Sequence, residues 1–167
     1  MMKKLKKFAA LLLVGVMALA LLTACGGGGD GMVTDKDEEN KAISRIGQDH
    51  GNIAVTNDED LRAIAEGHLN MDRNNLDALF KVAGYLTAFK FHAEDAGNDL
   101  IITITARYDY KDTLLNEVLK RISEHVDTNH NVTVNQSGDW TNVGVVVKGN
   151  NEQSYIGISI RIKNVNK

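Results

Sequence analysis

Histidine and carboxylate side chains in the C-terminal half are the first residues whose chemistry could form a metal or acid-base site. His125 and His130 are the closest pair among five histidines, and Glu124 and Asp127 lie beside them. Metal-binding histidines on one helix face are spaced i and i+4, or they alternate along a strand, and a spacing of five fits neither pattern. The pair predicts a metal site only if a loop brings the two rings together. The alternative is that His125 interacts with the negative end of a helix.

The remaining histidines and the hydroxyl side chains give no catalytic pattern. We expect His68 to be a satisfied core residue on the apolar face of a helix, and His50 and His92 to be exposed. Nucleophilic catalysis needs an activated Ser, Thr or Cys, yet the sequence has no G-x-S-x-G or S-x-x-K motif, and its only thiol is Cys25. The sequence therefore predicts no catalytic residue, no metal and no cofactor, and it favours a protein that is not an enzyme.

One aromatic residue is a candidate for binding. Trp140 follows Asp139 in the turn-like segment 137–142, immediately before a predicted strand. A lone aromatic side chain there could stack on a sugar or on a partner surface. The alternative is that Trp140 closes one end of the core. Trp140 and Asp139 are the candidate binding surface that the sequence offers.

The N-terminus has the pattern of an export signal. Four lysines within the first seven residues precede Phe8–Leu22, an uncharged run of 15 mainly apolar residues. A membrane-spanning helix needs about 20 such residues, so this run has the length of a signal peptide. It ends in Leu22-Thr23-Ala24-Cys25, which resembles the lipobox of bacterial lipoproteins: an aliphatic residue, a small polar residue, a small residue and an obligatory Cys.

The lipobox resemblance implies a lipid anchor. It implies that Cys25 carries a diacylglyceryl group, that cleavage falls between Ala24 and Cys25, and that the lipid-bearing N-terminus lies on the extracytoplasmic face of the cell membrane. Two or more acyl chains give lasting attachment, whereas one short chain holds only weakly. The alternative is a cytosolic protein with an apolar N-terminal helix. We expect the bilayer to be one partner, through acylated Cys25.

The charge of the mature chain limits its other partners. Residues 25–167 carry 15 basic and 22 acidic side chains, because the first 24 residues hold four lysines and no acid. The resulting charge of about −7 disfavours the phosphate contacts that dominate nucleic-acid affinity. It also provides no polybasic patch for anionic lipids. We therefore expect an unidentified protein or envelope ligand, and no nucleic acid.

Composition divides the chain into three parts. Residues 1–24 are the predicted signal peptide. Residues 25–40 combine the lipidated Cys with a Gly-rich, acidic segment that cannot bury a core and is predicted to be a flexible tether. Residues 41–167 are predicted to form one domain, since roughly 127 residues suffice for a single core.

Hydrophobic periodicity and turn residues predict the elements of this domain. A capping-box pattern at Thr56–Glu59 starts one helix, and a second begins near Asn74 or Asn75 and ends at Gly84. A short helix is predicted over 38–46, and the clearest helix covers 112–126. Alternation predicts strands over 86–92, 100–108, 143–148 and 155–163, and a short one over 132–134, with turns at 96–99 and 149–152.

This order, α-α-β-β-α-β-β with one further short strand, predicts an α+β fold: an antiparallel sheet of four to five strands with helices packed on one face. The body resembles small α+β lipoproteins of unknown function from Gram-positive bacteria, and that resemblance implies a compartment and an architecture but no active site. We expect a membrane-anchored module that binds a protein, a peptide or an envelope component through its sheet or the 137–142 loop. The alternatives are a cell-envelope hydrolase or metal-dependent enzyme, and a structural or immunity-type lipoprotein.

Overall fold

The computed structural model describes residues 31–49, 55–84, 88–111, 114–121 and 140–163. Residues Thr34–Lys167 form one compact unit, and Met1–Val33 form a separate one, of which only 31–33 are described. The predicted signal peptide, Cys25 and the predicted 132–134 strand lie outside the described residues.

The domain is built on a five-stranded sheet with the order β1-β4-β5-β3-β2. The pairs β2–β3, β3–β5 and β4–β5 are antiparallel. The α+β class, the antiparallel sheet and the element order predicted from the sequence are confirmed. The strands are β1, Val33–Thr34; β2, Phe89–Ala96; β3, Asp99–Arg107; β4, Trp140–Gly149; and β5, Ser154–Lys163.

Two hairpins account for most of the sheet, and their turns fall where the sequence placed them. The β2–β3 hairpin has a two-residue loop, Gly97 and Asn98, and Gly97 has φ 75°. A loop of this length with glycine at its first position fits a type II′ turn, whose twist matches that of the strands. In the β4–β5 hairpin the Asn150 side chain accepts from the backbone N–H groups of Glu152 and Gln153. Local turn chemistry therefore sets the register of both hairpins.

The first helix, α1, spans Lys36–Asp49, so the predicted tether boundary at residue 40 is wrong. Asp35 caps this helix, because its side chain accepts from the Glu38 N–H at 3.1 Å. The acidic residues of the first turn, which made the segment look like a tether, are favourable there because they face the positive end of the helix dipole. Composition alone could not separate an acidic tether from an acidic first turn.

The second helix, α2, is a single helix, Glu59–Ala83, where the sequence predicted two. It ends at Gly84 (φ 76°) as predicted, but its N-cap is Asp58 and not Thr56. Asn57 explains the difference: its side chain bonds both the N–H and the C=O of Val145, at 2.7 and 2.8 Å. This pairing ties Asn57 to β4, so the helix can begin only after it. Residues 114–121 are also helical and are labelled α3.

The helices cover both faces of the sheet, rather than the single face expected. One face packs against α1 and α3 as a continuous apolar cluster. Its strand positions alternate with those on the opposite face, as side chains on a pleated strand must. The sheet contributes Leu100, Ile102, Ile104, Ala106, Val143, Val145, Val147, Ile156, Ile158, Ile160 and Ile162 to this cluster. The other members are Tyr108, which follows β3; Ala42, Ile43 and Ile46 of α1; and Leu114, Leu115 and Val118 of α3.

Helix α2 lies on the opposite face and approaches the sheet closely at two glycines. A Cβ at Gly144 would lie 2.1 Å from the Arg62 nitrogen, and one at Gly157 would lie 3.0 Å from the Ala65 oxygen. Because the helix backbone occupies the space of a side chain, only glycine fits at Gly144. The two glycines let α2 lie directly on β4 and β5.

A buried ion pair connects the helices on the two faces. The Arg62 guanidinium of α2 binds the Glu39 carboxylate of α1 through two hydrogen bonds, at 2.7 and 3.1 Å. The Glu39 side chain is 1% exposed, and it also accepts from the Val147 N–H of β4. The pairing raises the pKa of Arg62, first through the hydrogen bond to Glu39. A residue assigned to the tether is thus a buried structural acid.

Glu39→Ala should lower the free energy of unfolding by about 3–5 kcal/mol, because it leaves the Arg62 guanidinium buried without its main counterion. Asp37→Ala, at an exposed acid of the same helix turn, should change it by less than about 0.5 kcal/mol. Urea unfolding measures both. Equal effects of the two substitutions would contradict a buried structural role for Glu39.

The capping carboxylate Asp58 should make stability depend on acid pH. Its pKa is lowered first by the hydrogen bond from the Leu61 N–H, so its contribution is complete above the ordinary pKa of 3.8 and is lost as the pH falls through the lower folded value. Asn at this position keeps the capping oxygen but does not titrate. The stability difference between the parent and Asp58→Asn should therefore shift against the parent as the pH falls below about 4, measured by urea unfolding from pH 7 to 2. A difference independent of pH would contradict the role of the charge.

Candidate functional site

Polar side chains, rather than apolar ones, fill part of the contact between α2 and the sheet. Along the buried side of α2, the apolar positions Leu61, Ala65 and Leu69 are followed by Asp72, which is itself buried. Opposite it lie polar residues of β2 and β3. We call this group the His-carboxylate cluster; it consists of His68, Asp72, His92, Glu94 and Thr105.

Each histidine of the His-carboxylate cluster is paired with a carboxylate on the other element. His92 Nε2 lies 2.7 Å from Asp72 Oδ2, and His68 Nε2 lies 2.5 Å from Glu94 Oε1. Asp72 Oδ2 also accepts from the Thr105 hydroxyl at 2.6 Å. The two imidazole rings stack, with centroids 3.9 Å apart and planes at 22°. Two crossed His-carboxylate pairs therefore join α2 to the edge of the sheet.

The cluster is graded from buried to exposed. The side-chain exposure is 9% for Asp72 and 12% for His68, but 28% for His92 and 46% for Glu94. The Nδ1 atom of His68 is buried and has no hydrogen-bond partner. The group therefore opens to solvent on the β2 side only, and its inner carboxylate is satisfied entirely by protein donors.

The side chains of the His-carboxylate cluster join α2 to the sheet through hydrogen bonds. A carboxylate that orients an imidazole assists catalysis when the other ring nitrogen reaches a nucleophile. Here the hydroxyl bonded within the cluster, that of Thr105, donates to the same oxygen of Asp72 that binds His92. The hydroxyl proton is thus directed to the carboxylate and not to an imidazole, so the arrangement does not activate Thr105.

A second polar group fixes the C-terminal half of α2. Asp77 accepts from Arg107 Nη1 at 2.5 Å and from the Tyr155 hydroxyl at 2.6 Å. The Arg107 guanidinium lies 4.4 Å from the Phe80 ring centroid, and its Nη1 also donates to Gln153 Oε1 at 3.0 Å. Burial, and then the bond to Asp77, raise the pKa of Tyr155 well above its ordinary value, so it remains a hydroxyl donor.

A third polar group joins α2 to β4. Glu66 binds Lys148 at 2.6 Å and Arg62 at 3.3 Å. Burial by itself would raise the pKa of Glu66, but the hydrogen bond and charge of Lys148, aided by Arg62, outweigh it and leave the pKa lowered. Glu66 is therefore ionised at neutral pH and holds both cations in place.

The structure gives different outcomes for the residues singled out in the sequence. His92, expected to be exposed, is half-buried and bonded to Asp72, because β2 runs directly under α2. His68 is largely buried, as expected, and its Nε2 pairs with Glu94, but its buried Nδ1 has no partner, so it is not the fully satisfied residue expected. Trp140 is the first residue of β4. The other candidates, Ala24, Cys25, His50, His125, His130 and Asp139, lie outside the described residues.

Sequence reasoning missed Asp72 and Asp77, the two acids that anchor α2. The burial of Asp72 could have been predicted, because it falls at helical spacing with Leu61, Ala65, Leu69 and Leu76 on the buried side of α2. A carboxylate on an apolar face must find a partner when buried. Its partners come from β2 and β3, and no local pattern predicts which strand lies beneath it.

Comparisons with family models, with curated proteins and with solved structures found no match to this chain. Within the described ranges, no three His, Cys, Asp or Glu side chains are arranged so that they could hold a metal ion. The helices in those ranges include none with the length and hydrophobicity needed to cross a membrane.

Asp72→Ala should lower the free energy of unfolding by about 2–4 kcal/mol, because it leaves the buried Thr105 hydroxyl and the His92 imidazole without their acceptor. A double-mutant cycle of Asp72→Ala with His92→Ala should give a coupling energy of about 1–3 kcal/mol. Urea unfolding at neutral pH measures the cycle. Pairing Asp72→Ala with Glu152→Ala, at an exposed acid in the β4–β5 turn, provides the matched control. Additive effects of Asp72→Ala and His92→Ala on the free energy of unfolding would contradict a stabilising interaction between the two side chains.

Proposed function

We propose that this chain is a lipoprotein held on the extracytoplasmic face of the cell membrane by acylated Cys25, and that its α+β domain is a non-enzymatic binding module. The lipobox Leu22-Thr23-Ala24-Cys25, placed directly after an uncharged run of signal-peptide length, carries the proposal. The polar groups between α2 and the sheet support the non-enzymatic part. They bond to one another across the helix-sheet contact, where they position α2.

The tether in this proposal is shorter than the composition suggested. Strand β1 begins at Val33, so the proposed link after Cys25 comprises residues 26–32. A Gly-rich chain of that length has a root-mean-square reach of about 15 Å, against about 20 Å for the whole 26–40 segment. The proposed module would therefore act close to the bilayer, on partners at the membrane surface.

The faces of the sheet are poor candidates for the binding surface. The strands β3, β4 and β5 are buried on both sides by α1, α2 and α3. The proposed binding surface is therefore not a sheet face, as the sequence suggested, but the outer surface of the helices and the segment before β4. Trp140 and Asp139 remain the proposed contact residues of that segment for a protein, a peptide or an envelope component.

The binding proposal can be tested in cells with a photoreactive residue at position 140 of the full anchored chain. The proposal expects a cross-linked partner other than the chain itself. The same residue at Ser44, on the exposed side of α1, is the control. Identical adducts at both positions, or none at position 140, would contradict a partner at this segment.

Cys25→Ser should abolish both lipidation and cleavage, because the thiolate is the group that would receive the diacylglyceryl chain. The variant should remain a precursor larger than the mature protein and should take up no labelled fatty acid. Gel mobility and metabolic labelling measure these two properties, and Thr23→Ser is the conservative control. Normal processing and labelling of the Cys25→Ser chain would refute the anchor.

A further inference from the structure

Tyr110, which follows β3 by three residues, is an exposed aromatic residue in an unfavourable backbone conformation. Among the described residues it is the one residue other than glycine with a positive φ, at 59°, and it is 42% exposed. The left-handed region is unfavourable for a bulky L-residue, because its Cβ crowds the following carbonyl oxygen. Such a conformation persists only where the surrounding structure enforces it, and residues of this kind cluster at functional positions.

Contacts with three neighbouring residues hold the Tyr110 ring in place. The ring packs against the buried Tyr108 ring, with centroids 5.3 Å apart and planes tilted by 47°. The Tyr110 hydroxyl shares a hydrogen bond with the Ser154 side chain. A Cβ at Gly149 would lie 2.5 Å from the same hydroxyl, so the glycine gives it the space it needs. The hydroxyl is thus satisfied within the protein, which leaves the ring available for an outside contact.

Tyr110 lies at the end of the domain where the chain enters it. The compact unit starts at Thr34, and the N–H of the next residue, Asp35, donates to the Val147 C=O at 2.9 Å. Val147 precedes Gly149 by two residues on β4, which is about 7 Å along an antiparallel strand. The Tyr110 hydroxyl lies against Gly149, so the chain enters the domain close to the Tyr110 ring.

Two lysines near Tyr110 are the outer members of their ion pairs. Burial first, and more weakly the charge of Glu38, raise the pKa of the Tyr110 hydroxyl, so Glu38 lies near it. Glu38 is largely buried and binds Lys41, whose side chain is 70% exposed. Asp109 is also largely buried and binds Lys111 at 3.3 Å, and the Lys111 side chain is 73% exposed. In both pairs the carboxylate faces the protein and the ammonium group faces solvent.

The other charges of this end include both signs. Lys36, in the first turn of α1, is exposed and binds the buried Glu39. Asp37 in the same turn and Glu152 in the β4–β5 turn are exposed acids. Three exposed ammonium groups therefore lie with two exposed acids at this end. The mature chain as a whole has about seven more acids than bases, so the charge here is more positive than elsewhere.

We propose that the end of the domain that carries Tyr110 docks on the bilayer to which Cys25 is anchored. The Tyr110 ring lies in the headgroup region, and Lys41 and Lys111 contact lipid phosphates. The inference rests on the proposed anchor and adds an orientation of the domain to it. Tyrosine rings are favoured at membrane–water interfaces, and lysines near the surface are attracted to anionic headgroups. The proposed link 26–32, with a reach of about 15 Å, keeps this end within contact of the bilayer.

Nitroxide labels at two turns test the orientation in the full chain, isolated from membranes and reconstituted in vesicles of phosphatidylglycerol and phosphatidylcholine. Glu152→Cys places a label in the β4–β5 turn near Tyr110. Asn98→Cys places one in the β2–β3 turn, at the other end of the sheet and about 30 Å away along β5. The ratio of collisions with lipid-soluble oxygen to collisions with a water-soluble nickel complex should be at least about threefold higher at position 152. Equal ratios at the two turns would overturn the docking.

Variants of the proposed contact residues test which side chains carry the docking. Tyr110→Ser should lower the collision ratio at position 152 towards that at position 98, because it removes the ring. Tyr110→Phe should keep the parent ratio, because the hydroxyl is bonded within the protein. A Tyr110→Ser chain with the parent ratio would overturn the role of the ring.

The lysines are tested by the Lys41→Gln/Lys111→Gln double variant, which changes only exposed side chains and so does not depend on the stability of the Tyr110 variants. It should also lower the collision ratio at position 152. Lys163→Gln, at an exposed lysine at the far end of β5, is the matched control and should leave the ratio unchanged. Equal effects of the double variant and the control would overturn the contact with lipid phosphates.

A failure of the anchor gives a different result from a failure of the docking. A Cys25 thiol that carries a diacylglyceryl group cannot be labelled, so the anchored chain takes up one nitroxide at the introduced cysteine. Two nitroxides per chain would refute the anchor, and the docking with it. One nitroxide per chain with equal collision ratios at the two turns would refute the docking and leave the anchor in place.

Discussion

The two-sided packing of this domain depends on the buried ion pair between Glu39 and Arg62. Helices α1 and α2 cover opposite faces of the sheet, and this pair joins them beside β4, where Glu39 also accepts from the Val147 N–H. A buried carboxylate is stable only when its charge is matched and its oxygens are bonded. Both conditions hold only when α1, α2 and β4 are all in place, so the pair couples formation of the two layers.

Helix α2 is held in its position by polar contacts as well as by apolar burial. Asp72 and Asp77 enter the helix-sheet contact where a simple amphipathic helix would place Leu or Ile, and each binds two groups from the strands. Such bonds have strict geometry, so they fix the rotation and the axial position of α2 on the sheet. One consequence is that the opposite side of α2, which includes Gly67 and Met71, points to solvent in a defined orientation.

The proposed short link after Cys25 would suit a protein that works at a membrane surface. The polar side chains between α2 and the sheet hold the helix in place, and the strands β3, β4 and β5 are covered on both faces. Recognition is then left to the outer surface of α2 and to the segment that leads into β4. An acylated N-terminus would hold these surfaces near the bilayer.

The sequence by itself determined the α+β class, the four strands of the two hairpins, both hairpin turns and the end of α2 at Gly84, because these follow from the local properties of strand alternation, turn residues and capping. It also supplied the lipobox, which is a linear motif. Tertiary structure decided that Glu39 belongs to a buried ion pair and not to a tether, that helix α2 continues unbroken through Asn74, and that His92 is bonded to Asp72. The contacts of Glu39 and His92 depend on partners distant in the chain, Arg62 and Asp72, and local patterns carry no information about which distant group will satisfy a buried charge.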